Sequence, residues 1–404
     1  MAARLLGSLA LVGGAGAQLV SNDVGKGQEL CTANLRELCG KRTHINQQPS
    51  VLLDVPDGCD GPHSKCPIAF FLHGQGSKGK HSGKMFLDGP DAASKLLHGY
   101  HFIGVYPTSD FGWNTDGDTT VDKCTPREYN CTTDNNDVAF MSGIAAFLKG
   151  QGSTGRIYAY GSSDGSALAQ KLAANSGPDG GTTPGLVVSG IWASGGQLLA
   201  KPVRSGPGGF YNQPSQVAPR NTLPVAQASS HGDEDAEVPY AGGKSALHKR
   251  CPECVFLSEE ASNKMWAEHN GCKMAAGTET FYYKATFGTA TNHTVGQAER
   301  NTYQCPENAA VEYWKIIGAP HGGAESFSVD YHSKNQSKIA YVVQFFSRVE
   351  EAQKPPPAPK KPGAINRIID DVAKDLPYGR VTLVAAIACC VCMCMAAICG
   401  KGGR

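Results

Sequence analysis

Surplus charge is what this sequence most lacks. Lysine and arginine number 37 and aspartate and glutamate 36 in 404 residues, a formal net charge of +1. No basic stripe with interleaved aromatics runs through it, which excludes a nucleic-acid partner held by its phosphates. Internal repeats are missing, and with them a solenoid or propeller. The C-x-x-C pair Cys251 and Cys254 lacks the strand-to-helix surroundings of a redox motif. What is present is ample apolar material, 41% of residues, enough for a sizeable core. The length would allow two or three domains, but a single large α/β domain also reaches it.

The two ends differ from the rest. Residues 1–17, MAARLLGSLALVGGAGA, carry one early arginine, an apolar centre and a small-residue finish, the pattern of a secretory signal. Val381 to Cys399 is a stretch of nineteen residues without a charge, bracketed by Arg380 and Lys401. At about 1.5 Å per residue it matches a hydrocarbon core of roughly 30 Å, so the reading is a single transmembrane helix with residues 400–404 in the cytoplasm. A buried core helix and a lipid-anchor signal are the alternatives. The bulk of the chain is then expected on the extracellular face of a membrane. Ten cysteines precede the span, an even number suited to disulfides in an exported domain. Cys59 and Cys66 are placed to close a small loop. Sequons at Asn130, Asn292 and Asn335 fit an exported, glycosylated surface. Cys251 and Cys254, with His248, His269 and Cys272, have the composition of a zinc cluster, but export favours disulfides, and no metal site is expected.

After an N-terminal extension, 18–50, which includes a predicted helix from Gly27 to Gly40, strand and helix alternate. Predicted strands are Val51–Val55, Pro67–Leu72, His101–Tyr106, Ile157–Tyr160, Leu186–Ala193, Leu223–Ser229 and Val311–Ile317. Predicted helices are Ala92–Leu97, Asp137–Leu148, Ser166–Ala174, Ser258–Asn270 and Ile339–Val349. Buried apolar strands alternating with helices indicate a mostly parallel sheet covered on both faces. A Pro/Lys linker, 351–363, and a short amphipathic helix, 364–378, follow the 51–350 domain.

One turn organises this chemistry. Gly161-Ser162-Ser163-Asp164-Gly165 is G-x-S-x-G between a strand and a helix. In so glycine-rich a chain the pattern alone could be an ordinary turn, but its placement makes Ser163 a nucleophile candidate, next to the positive end of a helix dipole. A serine needs a base, and the base needs an acid. In this architecture the acid and the histidine follow the serine, in loops past strand ends. Asp233, Glu234 and Asp235 lie in one such loop and His321 in another.

Several separated motifs resemble the polyhydroxybutyrate depolymerase and feruloyl/acetylxylan esterase group of the α/β-hydrolase superfamily. They are FFLHGQG at 70–76, VYP at 105–107, Trp113-Asn114, DVAF at 137–140, the elbow, HGDEDAEVPYAGG at 231–243, W-x-x-H-N-G-C at 266–272, and the Y-x-C and VEYWKIIGAPH run ending at His321. The resemblance implies an α/β-hydrolase fold with Ser163 as nucleophile, His321 as base and Asp235 as acid. It implies a Cys272–Cys305 disulfide, an oxyanion hole of the Gln75 and Asp164 backbone N–H groups, and substrate contacts from Trp113 and Tyr240. No cofactor is implied. Substrates would be acetyl, feruloyl or hydroxyalkanoate esters, in a cell-wall polysaccharide or a polyester. Two departures stand out. Asp164 replaces the usual Asn or Ala after the nucleophile, and Gly322-Gly323-Ala324 replaces Thr-Trp-Pro after the histidine. A catalytically silent binding protein on the same scaffold, or a serine peptidase, are the other readings.

Overall fold

The computed structural model describes residues 19–24, 26–30, 51–74, 86–87, 92–108, 113, 137–174, 176, 187–200, 224–244, 255–273, 279–289, 292–325, 327–331 and 334–354. Outside these lie the signal-like stretch, Cys31, Cys39, Gln75, Cys124, Cys131, Asn130, Cys251, Cys254, the linker from 355 onward, the amphipathic segment and the apolar stretch 381–399. No helix among the described residues is long and apolar enough to cross a membrane. The chain falls into two compact units, Met1–Gln353 and Lys354–Arg404, and everything below concerns the first.

Its strands are β1 (Gln28–Glu29), β2 (Val51–Asp54), β3 (Ile68–Leu72), β4 (Ile103–Pro107), β5 (Arg156–Ser162), β6 (Val187–Ser194), β7 (Ala226–Gly232), β8 (Gly243–Lys244), β9 (Val255–Phe256), β10 (Glu279–Thr289), β11 (Asn292–Thr302), β12 (Val311–Ile317), β13 (Ser328–Tyr331) and β14 (Lys334–Ser337). Its helices are α1 (Ser94–Tyr100), α2 (Asp137–Gly150), α3 (Asp164–Ala174), α4 (Glu259–His269), α5 (His321–Glu325) and α6 (Lys338–Ala352). One sheet runs β1-β2-β4-β3-β5-β6-β7-β12-β11-β10-β13-β14. From β4 to β12 the neighbours are parallel, while β2 pairs antiparallel with β4. This order, with an antiparallel second strand and a strand-turn-helix after β5, is α/β-hydrolase-like.

Burial on both faces explains the central strands. All five residues of β3, IAFFL, are inaccessible to solvent. Side chains alternate across the sheet, so the run splits between two core layers. Ile68, Phe70 and Leu72 meet Ile144 and Leu148 of α2 and Leu168 and Leu172 of α3. Ala69 and Phe71 belong to the other layer, with Leu97 of α1 and Val342, Phe345 and Phe346 of α6. Leu168 and Leu172, four residues apart, share one face as their spacing requires.

Three differences from the sequence-based expectation have physical causes. The predicted helix at Gly27–Gly40 begins instead as β1, because Gln28 and Glu29 pair with Leu53 and Leu52 at the sheet edge. The strand expected at Leu223–Ser229 runs over Ala226–Gly232, in register with β6 on one side and β12 on the other, which draws Ser230 and His231 into the sheet. Beyond β12 the sheet continues antiparallel through a hairpin of two eleven-residue strands, β10 and β11, that was not expected. Asn292 opens that hairpin's second strand and Asn335 lies in β14. Disulfides join Cys59 to Cys66 and Cys272 to Cys305.

Candidate active site

The site forms where β5 gives way to α3. Ser163, the one residue between them, has φ +50°, a left-handed conformation that a non-glycine residue enters only under constraint. The constraint is visible on each side. A Cβ on Gly161 would sit 2.1 Å from the Gly165 carbonyl oxygen, and one on Gly165 would sit 2.2 Å from the Leu72 carbonyl oxygen. Only glycine fits at either place. The Ser163 N–H donates to the Ser194 carbonyl of the neighbouring strand at 2.7 Å, which holds the turn against β6.

Two loops from distant parts of the chain meet this serine. His321 starts α5 just past β12, and its Nε2 lies 2.8 Å from Ser163 Oγ. Its Nδ1 lies 2.6 Å from Asp235 Oδ2, beyond the end of β7. A carboxylate only accepts, so Nδ1 carries the hydrogen and Nε2 is left to accept from the serine hydroxyl. Gly195 (φ +65°) packs against the ring: a Cβ there would come within 3.3 Å of His321 Cε1. Beta-strand pairing of β7 with β12 brings the acid loop and the histidine loop side by side across 86 residues of sequence.

Of the three acids in the β7 loop, folding engages one. Asp233 is turned aside, accepting the Gly318 N–H at 2.6 Å and lying 3.7 Å from Lys315 Nζ. Asp235 is buried, and its Oδ1 accepts the backbone N–H groups of Glu237 at 2.9 Å and Val238 at 2.8 Å. Burial by itself would raise its pKa, but hydrogen bonds from His231 and His321 hold it well below the usual carboxylate range.

Asp164, the residue after the serine, has its carboxylate engaged by a neighbouring loop. Its Oδ2 accepts the backbone N–H of Trp113 at 2.7 Å. The indole Nε1–H of Trp113 in turn donates to the His73 carbonyl at 2.7 Å. Trp113 is 1% exposed, and Tyr240 lies edge-on to His231 with the ring centroids 5.7 Å apart. Both were expected to contact substrate; in the structure both are buried and pack beside the site. Asp164 therefore ties the nucleophile turn to the loop after β4 and, through the indole, to the loop after β3. Asp164→Ala is expected to cost about 2 kcal/mol, the worth of a hydrogen bond to a charged group, while Asp164→Asn, which keeps an acceptor, should lose less than half of that. Urea midpoints of the two variant proteins check this.

The backbone N–H of Asp164 begins α3, where the first helical N–H groups have no partner within the helix. The second expected oxyanion donor, Gln75, lies outside the described residues. No group of His, Cys, Asp and Glu among the described residues could hold a metal ion. His248, Cys251 and Cys254 lie outside them, while Cys272 is engaged in its disulfide.

Sequence reasoning missed a layer behind Asp235. His231, wholly inaccessible, sets its Nε2 3.0 Å from Asp235 Oδ2 and its Nδ1 3.0 Å from Glu259 Oε2. Glu259, buried at the start of α4, also accepts from Ser229 Oγ and, at 2.9 Å, from Asn263 Nδ2. His231 stood in the sequence inside the His-Gly-Asp motif and Glu259 in the acidic first turn of a helix, where acids ordinarily serve the helix dipole. Nothing local distinguished them from a motif spacer and a solvated carboxylate.

No family model and no curated protein sequence matches this chain. Among solved structures it is similar to an acetyl xylan esterase from Aspergillus awamori, with 17% identity over 68% of this chain and 90% of that one and a TM-score of 0.41. It is also similar to LpqC, a poly(3-hydroxybutyrate) depolymerase from Bordetella parapertussis, with 14% identity over 58% and 81% of the two chains and a TM-score of 0.35. Both are of the kinds whose motifs the sequence resembles. Likeness at this level carries nothing about chemistry, which stands on the residues themselves.

Proposed function

We propose that the protein is a serine carboxylic-ester hydrolase working through Ser163, His321 and Asp235. The observation that carries the reading is the unbroken chain of short contacts from Ser163 Oγ through the imidazole to Asp235. His321 Nε2 takes the proton as Ser163 Oγ adds to the ester carbonyl, and the C=O bond becomes a single bond to an oxyanion beside the Asp164 N–H. Collapse breaks the bond to the alcohol, which leaves with the proton held on Nε2. Water, deprotonated by the same nitrogen, then releases the acid and restores the serine. Asp235 holds the imidazole tautomer and stabilises the cation formed in each half.

The substrate class is that of the resemblance: acetyl, feruloyl or hydroxyalkanoate esters. The signal-like stretch 1–17 and the apolar stretch 381–399 support an enzyme tethered to a membrane with its hydrolase unit on the extracellular side.

The test uses the full chain in detergent, with p-nitrophenyl acetate, methyl ferulate and hydroxybutyrate oligomers as substrates and a fluorophosphonate as covalent probe. Hydrolysis of at least one ester, with a single phosphonylated residue at Ser163, is the expected result. A folded protein that is unlabelled and inert on all three overturns the reading and leaves the silent binding scaffold. Cleavage of peptides but not esters points to a peptidase instead.

A further inference from the structure

The triad does not end at its acid. Behind Asp235 stands His231, and behind His231 stands Glu259, all three inaccessible or nearly so. The hydrogen positions on His231 follow from its neighbours. Nδ1 faces a Glu259 carboxylate oxygen at 3.0 Å, and Nε2 faces both Asp235 Oδ2 at 3.0 Å and the Val238 carbonyl at 2.8 Å. The carbonyl is an acceptor, and, despite burial, the pKa values of Asp235 and Glu259 are both lowered by their hydrogen bonds, so both carboxylates are ionised acceptors as well. A neutral imidazole has one N–H and would leave a buried nitrogen lone pair pointed at such an oxygen, so both nitrogens donate and the ring is a cation.

Resting on the esterase reading above, we propose that His231 is an imidazolium at neutral pH, clamped between Glu259 and Asp235, a positioning residue that sets the basicity of His321 through the shared carboxylate.

Charge and geometry agree on the consequence. Asp235 Oδ2 receives both imidazoles, and Oδ1 receives two backbone N–H groups, so the carboxylate has no freedom to turn. Its negative charge is divided between His231 and His321. A lone aspartate would pull harder on the Nδ1 hydrogen of His321 and hold the catalytic imidazole protonated at a higher pH. The cation behind it weakens that pull and keeps His321 neutral, and able to act as a base, in more acidic solution. Glu259 stabilises the buried cation, and Ser229 and Asn263 satisfy Glu259 in turn. Burial alone would lower the pKa of His231; the bonds to Asp235 and Glu259 raise it to about 9. Among the described residues the other groups facing this cluster are the Tyr240 ring edge-on, Tyr313 of β12, which feels the charge of Glu259, Lys315 on β12 over the Tyr240 ring at 5.4 Å and paired with Asp233, and Glu237 Oε2 at the rim, 3.9 Å from His321 Nε2.

The experiment has two arms, both on the full chain. In the first, the double variant His231→Gln, Glu259→Gln replaces an ion pair of zero net charge by two neutral amides of similar size. The acid limb of its kcat/KM profile should move up by about one pH unit, so that activity at pH 5 falls about tenfold while activity at pH 8 stays within about threefold. An unmoved limb, or an equal loss at every pH, overturns the proposal, since a purely structural role predicts the latter. In the second arm the unaltered protein, labelled with nitrogen-15 in its twelve histidines, is examined by NMR. One imidazole should remain doubly protonated at pH 8; its absence overturns the proposal even if the double variant does not fold. Failure of the esterase reading would show differently, as an unaltered protein that neither turns over esters nor takes the fluorophosphonate.

Discussion

Ser163→Ala should lower kcat for ester hydrolysis by about a million-fold, the scale on which removing a triad serine abolishes the covalent route. The same change should eliminate phosphonylation, while the melting temperature moves little, because alanine is no more strained than serine at φ +50°. Ser163→Gly is the control that separates chemistry from folding. It should be just as inactive, yet more stable by about 1 kcal/mol, because glycine enters the left-handed region without the side-chain clash. Thermal melts and single-turnover assays of the two variants check the pair. Appreciable hydrolysis by Ser163→Ala would refute the assignment of the nucleophile.

The second large effect lies two residues away and acts through packing. Gly165→Ala puts a methyl group 2.2 Å from the Leu72 carbonyl oxygen and 2.7 Å from the His73 carbonyl oxygen. Neither oxygen can retreat. Leu72 ends a fully buried strand held between β4 and β5, and the His73 carbonyl accepts the Trp113 indole. Overpacking against backbone costs about 3 kcal/mol where nothing yields. The alternative to unfolding is for α3 to shift outward, which would lift Ser163 away from His321. The expected result is therefore a lowered urea midpoint together with fluorophosphonate labelling slowed by at least about a hundredfold, since a displacement on the order of 1 Å suffices for that. Wild-type stability with wild-type labelling would show that the turn is looser than its contacts indicate.

The two glycines also show why this turn could be found in a sequence. G-x-S-x-G is legible because of a local steric demand: the turn's own backbone crowds Gly161 and the end of β3 crowds Gly165, so only one residue type fits at each flank. The central strands were legible for a related reason. IAFFL and FIGVY are buried on both faces, so their apolar runs are continuous and need no knowledge of partners. The α4 helix was expected from its composition, and in the structure the Ser258 hydroxyl caps it by accepting the Ala261 N–H.

The hairpin of β10 and β11 was harder to see. Tyr283, Ala285 and Phe287 turn inward while Tyr282 and Lys284 remain exposed, a period of two that glycine, threonine and asparagine dilute. Its position in the sheet depends on β12, not on its own residues. The end of β7 was misplaced for the same reason: the register against β6 and β12 carries the strand through His231.

Local composition and spacing were thus sufficient for the elbow, the parallel centre of the sheet and the three residue types of a triad, because each follows from constraints within a few neighbours along the chain. They left three acids equivalent in the β7 loop, and it was the resemblance that singled out Asp235. The physical distinction lies in the fold, which gives Asp233 to Gly318 and Lys315 and sets Asp235 against the imidazoles. The Glu259–His231 pair belongs wholly to the folded state. Two groups 28 residues apart meet inside the protein, where water is excluded and a buried charge persists only beside its opposite.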